Sequence, residues 1–248
     1  MVEAAAEQLV CVAGAGGFIG SWLRTPKNSH LLALDGAQER LSLYHADVLD
    51  YMSLRRAFSL CDGVFHVASP ISNDPNWYCY AKTVVEKTAM EEASKRGIQL
   101  IIVIPSVTIG RMLQPTLNLT LSRVATYMKG TKKAYSNAVG AYVDVRDVAL
   151  DHILVYEDLS THGWYLCIGD MLHQSEFLQM MRELFPQYPI TTKCKDENKP
   201  MIKPYKFSTQ RLGALGMKFT PLKESLYNTV VSLQENGHIP VLLHKSSL

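Results

Sequence analysis

An α/β architecture with a parallel sheet is the fold class this sequence predicts. Three observations predict it. A short apolar strand breaks into a glycine-rich turn before a helical pattern; strand-sized and helix-sized segments then alternate; and one run of β-branched residues is of the kind buried on both faces of a parallel sheet. The first strand covers residues 9–12. It gives way to Gly14, Gly17 and Gly20, while Phe18 and Ile19 open the helix. A strand that turns tightly into a helix needs glycine where the backbone bends and where a pyrophosphate comes close, and the helix start offers unpaired N–H groups to the phosphates. The turn is therefore a candidate dinucleotide site of the Rossmann type, with Ala13, Gly14, Gly17, Phe18, Ile19 and Gly20 against the cofactor. Its spacing is GxxGxxG rather than GxGxxG, and a glycine triplet alone is a weak signal.

The later elements follow in order. Residues 41–46 read as a strand ending at Asp47, and residues 51–60 as a helix. Residues 63–67 read as a buried strand that ends in Ala68-Ser69-Pro70. Residues 77–97 form one long helix with Gly97 as its C-cap. Residues 99–104 are a continuous Ile/Val strand stopped by Pro105. A strand at 142–145 and a helix at 148–156 close the first part. The tail from 171 to 248 mixes helical pieces (174–185, 208–215 and 222–236) with proline-containing connectors and reads as a smaller lobe. The expected organisation is a doubly wound parallel sheet carrying the dinucleotide site over residues 1–105 and 140–165, with a substrate lobe over 106–139 and 166–248.

Composition narrows the function. Hydrophobic residues make up 47% of the 248 and charged residues 19%, which suits a globular protein with a sizeable core. A net charge of +2 without a basic block gives nucleic-acid binding no electrostatic support. No apolar stretch reaches membrane-spanning length, and the first residues lack the basic and apolar regions of a secretory signal, so a cytoplasmic location is expected. Five scattered cysteines with no CxxC pair fit reduced thiols, and Asn118-Leu119-Thr120 means little as a glycosylation acceptor in that setting. The eight histidines show no metal-ligand spacing. Trp22, Trp77 and Trp164 read as packing residues.

The second chemical signal is Tyr78-Cys79-Tyr80-Ala81-Lys82. Tyr78 and Lys82 are four apart and share one face of the predicted helix. An ammonium beside a phenol makes it a better proton donor at neutral pH, and a lysine so placed can also hold a nicotinamide ribose. YxxxK is common by chance, and the bland reading is an amphipathic helix with an exposed lysine. Beside an N-terminal glycine triplet it points to the short-chain dehydrogenase/reductase superfamily.

The wider segment Asn76-Trp77-Tyr78-Cys79-Tyr80-Ala81-Lys82 resembles the NWYCYGK signature of plant cinnamoyl-CoA reductases, with alanine at 81 where that motif has glycine. CDGVFHVASP (61–70), AYVDVRDVALDHILVYE (141–157) and the stretch from FPQYPI at 185 to residue 230 are similar to the same family. The resemblance implies an extended Rossmann-type reductase that uses NADP(H) to convert hydroxycinnamoyl-CoA thioesters to aldehydes in the phenylpropanoid route to lignin. By resemblance, Tyr78 and Lys82 are the catalytic pair. Asp47 and Val48 contact adenine, with an N-cap before residue 51 as the plain alternative for Asp47. Val67, Ala68 and Ser69 pass under the cofactor, Pro105, Ser106 and Val107 lie in a loop beside the carboxamide, and Thr120 reaches a phosphate. Tyr142, Asp144, Arg146 and Asp147 read as structural, their charges pairing where a loop rejoins the sheet. The partner implied is a small-molecule CoA thioester. Oligomeric state is left open.

Two blocks of the family pattern are missing. After Gly20 only four residues precede Thr25-Pro26, too few for the helix and second strand of a parallel crossover. The basic pair that grips the adenosine 2′-phosphate in the family has no counterpart. Residues 31–34 could serve as the second strand, with Asp35 binding ribose, but residues 30–37 match a helical stretch of the family, and their Leu and Ala favour helix. Between Pro75 and Asn76 roughly sixty residues, about two βαβ-sized units, are absent. They include a central strand and the serine that polarises the substrate carbonyl. The sheet is thus expected to lack two strands. The rival reading, from a different class, is a catalytically silent homologue that at most binds nucleotide or pairs with full-length subunits.

Overall fold

The computed structural model describes residues 8–15, 17–19, 39, 42, 44, 46–68, 74–114 and 116–242. In chain order the elements are β1 (Val10–Ala13), α1 (Tyr51–Phe58), β2 (Gly63–His66), α2 (Pro75–Arg96), β3 (Ile101–Pro105), β4 (Val107–Ile109), α3 (Leu119–Met128), β5 (Val139–Asp144), α4 (Val145–Glu157), β6 (Gly163–Cys167), β7 (Asp170–His173), α5 (Gln174–Leu184), α6 (Gln210–Ala214) and α7 (Leu222–Glu235). They fall into two compact units. One comprises residues 1–102 and 152–164, the other 103–151 and 165–248.

In the first unit β1 and β2 pair in parallel, from Val10 opposite Gly63 to Ala13 opposite His66. Asp50 starts α1 by accepting from the amides of Met52 and Ser53. The end of α4 covers β2: a Cβ on Gly63 would fall 2.3 Å from the ring of Tyr156, and that ring packs 5.2 Å from Phe65. The long helix α2 begins at the junction where a block is expected to be absent. Asp74 accepts from the amides of Asn76 and Trp77, and Pro75 sits in the first turn, where its missing N–H costs nothing. Gly97, at φ 66°, closes the helix in the left-handed conformation. Trp164 Nε1 donates to Glu86 on α2 at 2.8 Å. Among the described residues of this unit only Ser53, Ala93, Val155 and Thr161 are buried.

The second unit holds nearly all of the core. β4 and β5 pair in parallel, and β7 adds to β5 antiparallel. Ile109, Leu121, Met128, Leu178, Met181, Leu212, Leu226, Val230 and Leu233 are fully buried there. Asp144 and Arg146 pair at 2.9 Å, and Arg146 also reaches Glu224. Asp147 accepts from both the amide and the hydroxyl of Thr220, tying α4 to the loop before α7. The charged cluster at 144–147 is therefore structural, as its composition implies.

Several expectations are corrected. The described positions in 41–46 carry no strand, the alternative of a strand at 31–34 lies outside the described residues, and the N-cap before α1 is Asp50 rather than Asp47. Pro105 does not stop its strand short but ends β3, where a residue without an N–H is tolerated, and Val107 already opens β4. The expected loop at 105–107 is thus Ser106 alone. The elements β4, α3, β6 and β7 have no expected counterpart. The described strands fall into three short sheets, with β3 next to β6 in one of them.

Candidate active site

The glycine turn is built by close backbone approach. Gly14 has φ 85°, and a Cβ there would lie 2.5 Å from the amide nitrogen of Ala68. Only glycine lets segment 67–68 pass so near, with Val67 donating to the Ala13 carbonyl at 3.0 Å. Gly17 donates to the Gly14 carbonyl at 2.9 Å and is exposed, and a Cβ on it would meet only that carbonyl. The turn therefore presents bare backbone to solvent. Ala13, Phe18 and Ile19 are half-buried, with Phe18 and Ile19 helical; Gly20 and Ser69 lie outside the described residues. An exposed glycine backbone leading into helical residues fits a pyrophosphate.

Asp47 Oδ1 accepts from the Leu49 amide at 2.9 Å, and its own amide donates to Ser53. This local turn holds Asp47 and the exposed Val48 ahead of α1.

Tyr78 and Lys82 share one face of α2, with Lys82 Nζ 5.8 Å from the centre of the Tyr78 ring. Partial desolvation lowers the Lys82 pKa. His66, the last residue of β2, also has a lowered pKa, first through desolvation and second through the Lys82 charge. His66 is thus electrically part of the site. Sequence reasoning passed over it, although its place directly before Val67-Ala68 was a usable signal. Tyr80 turns away from Lys82 and packs edge-on against Trp77 at 5.9 Å.

The remaining candidates belong to the second unit. The Ser106 amide donates to the Cys167 carbonyl at 3.0 Å, whereas its buried hydroxyl has no partner among the described residues. Pro105 and Val107 flank it as strand residues. The Thr120 hydroxyl is engaged by the Thr108 carbonyl at 2.9 Å and by Asn118. The described residues contain no cluster of His, Cys, Asp and Glu able to hold a metal ion.

No family model matches the chain. It is 48% identical to cinnamoyl-CoA reductase 1 of Oryza sativa subsp. japonica, covering 95% of this chain and 93% of the relative. It is 40% identical to cinnamoyl-CoA reductase 1 of Petunia hybrida, covering 96% of each. The rice alignment spans 315 positions and so exceeds the 248 residues of this chain by 67. An alignment longer than the chain requires gaps in this chain of at least that length. Among solved structures, vestitone reductase from alfalfa superposes with a TM-score of 0.79 at 21% identity, over 94% of this chain and 100% of that one. A yeast methylglyoxal/isovaleraldehyde reductase in complex with NADPH superposes at 0.69 and 18% identity, over the same shares. These likenesses show the Rossmann-type α/β fold.

Proposed function

Because this chain belongs to the cinnamoyl-CoA reductase family, we propose that its chemistry is the NADPH-dependent reduction of a hydroxycinnamoyl-CoA thioester to the aldehyde. The observation that carries this reading is Tyr78 and Lys82 on one face of α2 within the family's signature segment. Bound NADPH supplies the hydride. The turn at Gly14 and Gly17 would take the pyrophosphate on exposed backbone N–H groups. Tyr78 would give its phenolic proton to the thioester oxygen as the carbonyl carbon is reduced, and loss of the thiol from the resulting hemithioacetal leaves the aldehyde. Lys82 would stabilise the phenolate left on Tyr78 and hold the ribose. By the family resemblance Asp47, Val48, Val67, Ala68 and Ser69 are further cofactor-binding candidates, as are Pro105, Ser106, Val107 and Thr120 of the second unit. Cytoplasmic location is part of the same proposal; no described helix is long and apolar enough to cross a membrane.

One observation favours a second reading for this form of the chain. By the family resemblance the chain has no counterpart of the carbonyl-polarising serine, and a donor of that kind is worth about 3–4 kcal/mol. A silent homologue that retains nucleotide binding fits this loss. The deciding experiment measures feruloyl-CoA-dependent NADPH oxidation for the 248-residue protein and for a form with both blocks restored from the rice relative. Turnover is expected in the restored form and near background in the short one. Comparable turnover in both would sink the silent reading and assign the missing role to Ser69 or Ser106; no turnover in either would sink the reductase reading.

A further inference from the structure

The first unit holds two thiols that the proposed chemistry does not use. Cys11 lies on β1, and Cys61 follows α1 and leads into β2. Both are half-buried, and all five cysteines of the chain are free.

Two local features bring the pair together. Asp62 clamps the approach to β2 against β1. Its amide donates to the Leu9 carbonyl at 2.7 Å, and its carboxylate accepts from the Leu9 amide at 2.7 Å. The second feature is a strained turn. Leu60, at φ 70°, is the only non-glycine residue with positive φ among the described residues. A side chain in that conformation is unfavourable, and Leu60 is 89% exposed, so packing does not offset the strain. What the turn sets is the position of Cys61. The Cys61 amide donates to the Phe58 carbonyl at 3.2 Å, and its thiol reaches back to the Ala57 carbonyl at 3.7 Å. Placed there, the Cys61 side chain hydrogen-bonds with that of Cys11.

Burial raises the Cys11 pKa, and the neighbouring Cys61 thiol raises it further, so Cys11 keeps its proton in this contact. Cys61 is therefore assigned as the attacking sulfur and Cys11 as the resolving one. The setting gives the pair a purpose. The first unit buries only Ser53, Ala93, Val155 and Thr161 among its described residues, and a covalent tie restrains a chain whose core is too small to do so. We propose that Cys11 and Cys61 form a reversible modification site, which a low-molecular-weight disulfide converts into a bond between β1 and the turn before β2. With glutathione disulfide, the Cys61 thiolate attacks one sulfur and releases a glutathione thiolate. Cys11 then attacks the Cys61 sulfur of the mixed disulfide and expels the second glutathione, which takes the Cys11 proton. Two protein thiols are oxidised to one disulfide, and glutathione disulfide is reduced to two thiols.

The test incubates the full 248-residue chain in glutathione buffers of graded oxidised-to-reduced ratio. Acid quench, alkylation and non-reducing peptide mapping follow. One link, Cys11 to Cys61, is expected, with free thiols falling from five to three and dithiothreitol restoring all five. C79S should form the link as readily as the parent. C11S should stop at a glutathione adduct on Cys61, and C61S should leave Cys11 unmodified. The oxidised parent should melt at least about 5 °C above the reduced one, a gain absent from C11S. Circular dichroism checks that the variants fold, and C11A repeats C11S with an apolar side chain. Adducts on both cysteines without a link overturn the proposal, as does a link that forms only in urea, joins two chains or pairs Cys61 with Cys79. A melting temperature that is unchanged or lower on oxidation overturns it as well.

Discussion

Tyr78 and Tyr80 lie two positions apart on α2 and face different surroundings. Tyr78 sits under the Lys82 ammonium, whereas Tyr80 leans on Trp77. In the block-restored form, Tyr78→Phe is expected to remove reductase activity and Tyr80→Phe to leave most of it, as progress curves of NADPH oxidation will read. Equal losses would withdraw Tyr78 from its assigned role. A second residue-scale prediction concerns Asp151. Its carboxylate is buried beside the Cys167 thiol. Burial pushes its pKa up to about 7, the Cys167 thiol pulls it partly back, and the charge of Asp147 adds to the rise. The folded chain therefore keeps a proton that the unfolded chain releases near the ordinary value of 3.8. Stability should fall as pH rises from about 4 to about 7, and the penalty is fully present above that window. Urea midpoints across pH should show this slope in the parent and lose it in Asp151→Asn; an unchanged slope would clear Asp151 of the effect.

At the scale of elements, α2 carries its own start signal. The junction at Asp74 and Pro75 supplies its own N-cap and first-turn proline, so the helix bearing Tyr78 begins cleanly. Asp74→Ala should cost about 1 kcal/mol and fray the first turn. Faster amide hydrogen exchange at Asn76 and Trp77 would record it, and unchanged exchange would show that the cap does not hold that turn. The outward arc of the same helix is a defect. Trp77, Tyr80, Val84 and Val85 are exposed, whereas the later outward positions are Lys87, Glu91, Glu92, Lys95 and Arg96.

For the whole molecule the contrast is between two units with very different cores. The second unit buries a dense apolar set, while the first buries four described residues. Apolar surface of this extent drives association. The 248-residue form should bind 8-anilinonaphthalene-1-sulfonate strongly and aggregate on heating; block restoration should abolish the dye signal and raise the melting temperature. A dye-silent, monodisperse short form would show that the exposed face is tolerated. A last prediction concerns the cofactor. By the family resemblance the sequence has no counterpart of the 2′-phosphate grip, so NADPH should bind weakly and with little preference over NADH. Paired titrations will read this, and a strong NADPH preference would place the grip on other residues.

What the sequence determined by itself was local or carried by short motifs. The glycine turn after β1, the course and Gly97 C-cap of α2, the one-face spacing of Tyr78 and Lys82, and the Asp144–Arg146 pair all depend on neighbours within a few residues. Spacing alone therefore exposes them. The family was legible because signature segments survive along the chain. Tertiary structure alone decided the rest. β4, β6 and β7 are three to five residues long and hold their place through partners distant in sequence, so periodicity could not find them. Asp50 takes the capping role from Asp47 because the turn at 47–49 consumes the Asp47 carboxylate locally. The coupling of His66 to Lys82 and the raised pKa of the buried Asp151 are matters of electrostatics and desolvation. Those depend on what surrounds a group in three dimensions, which a linear pattern does not contain.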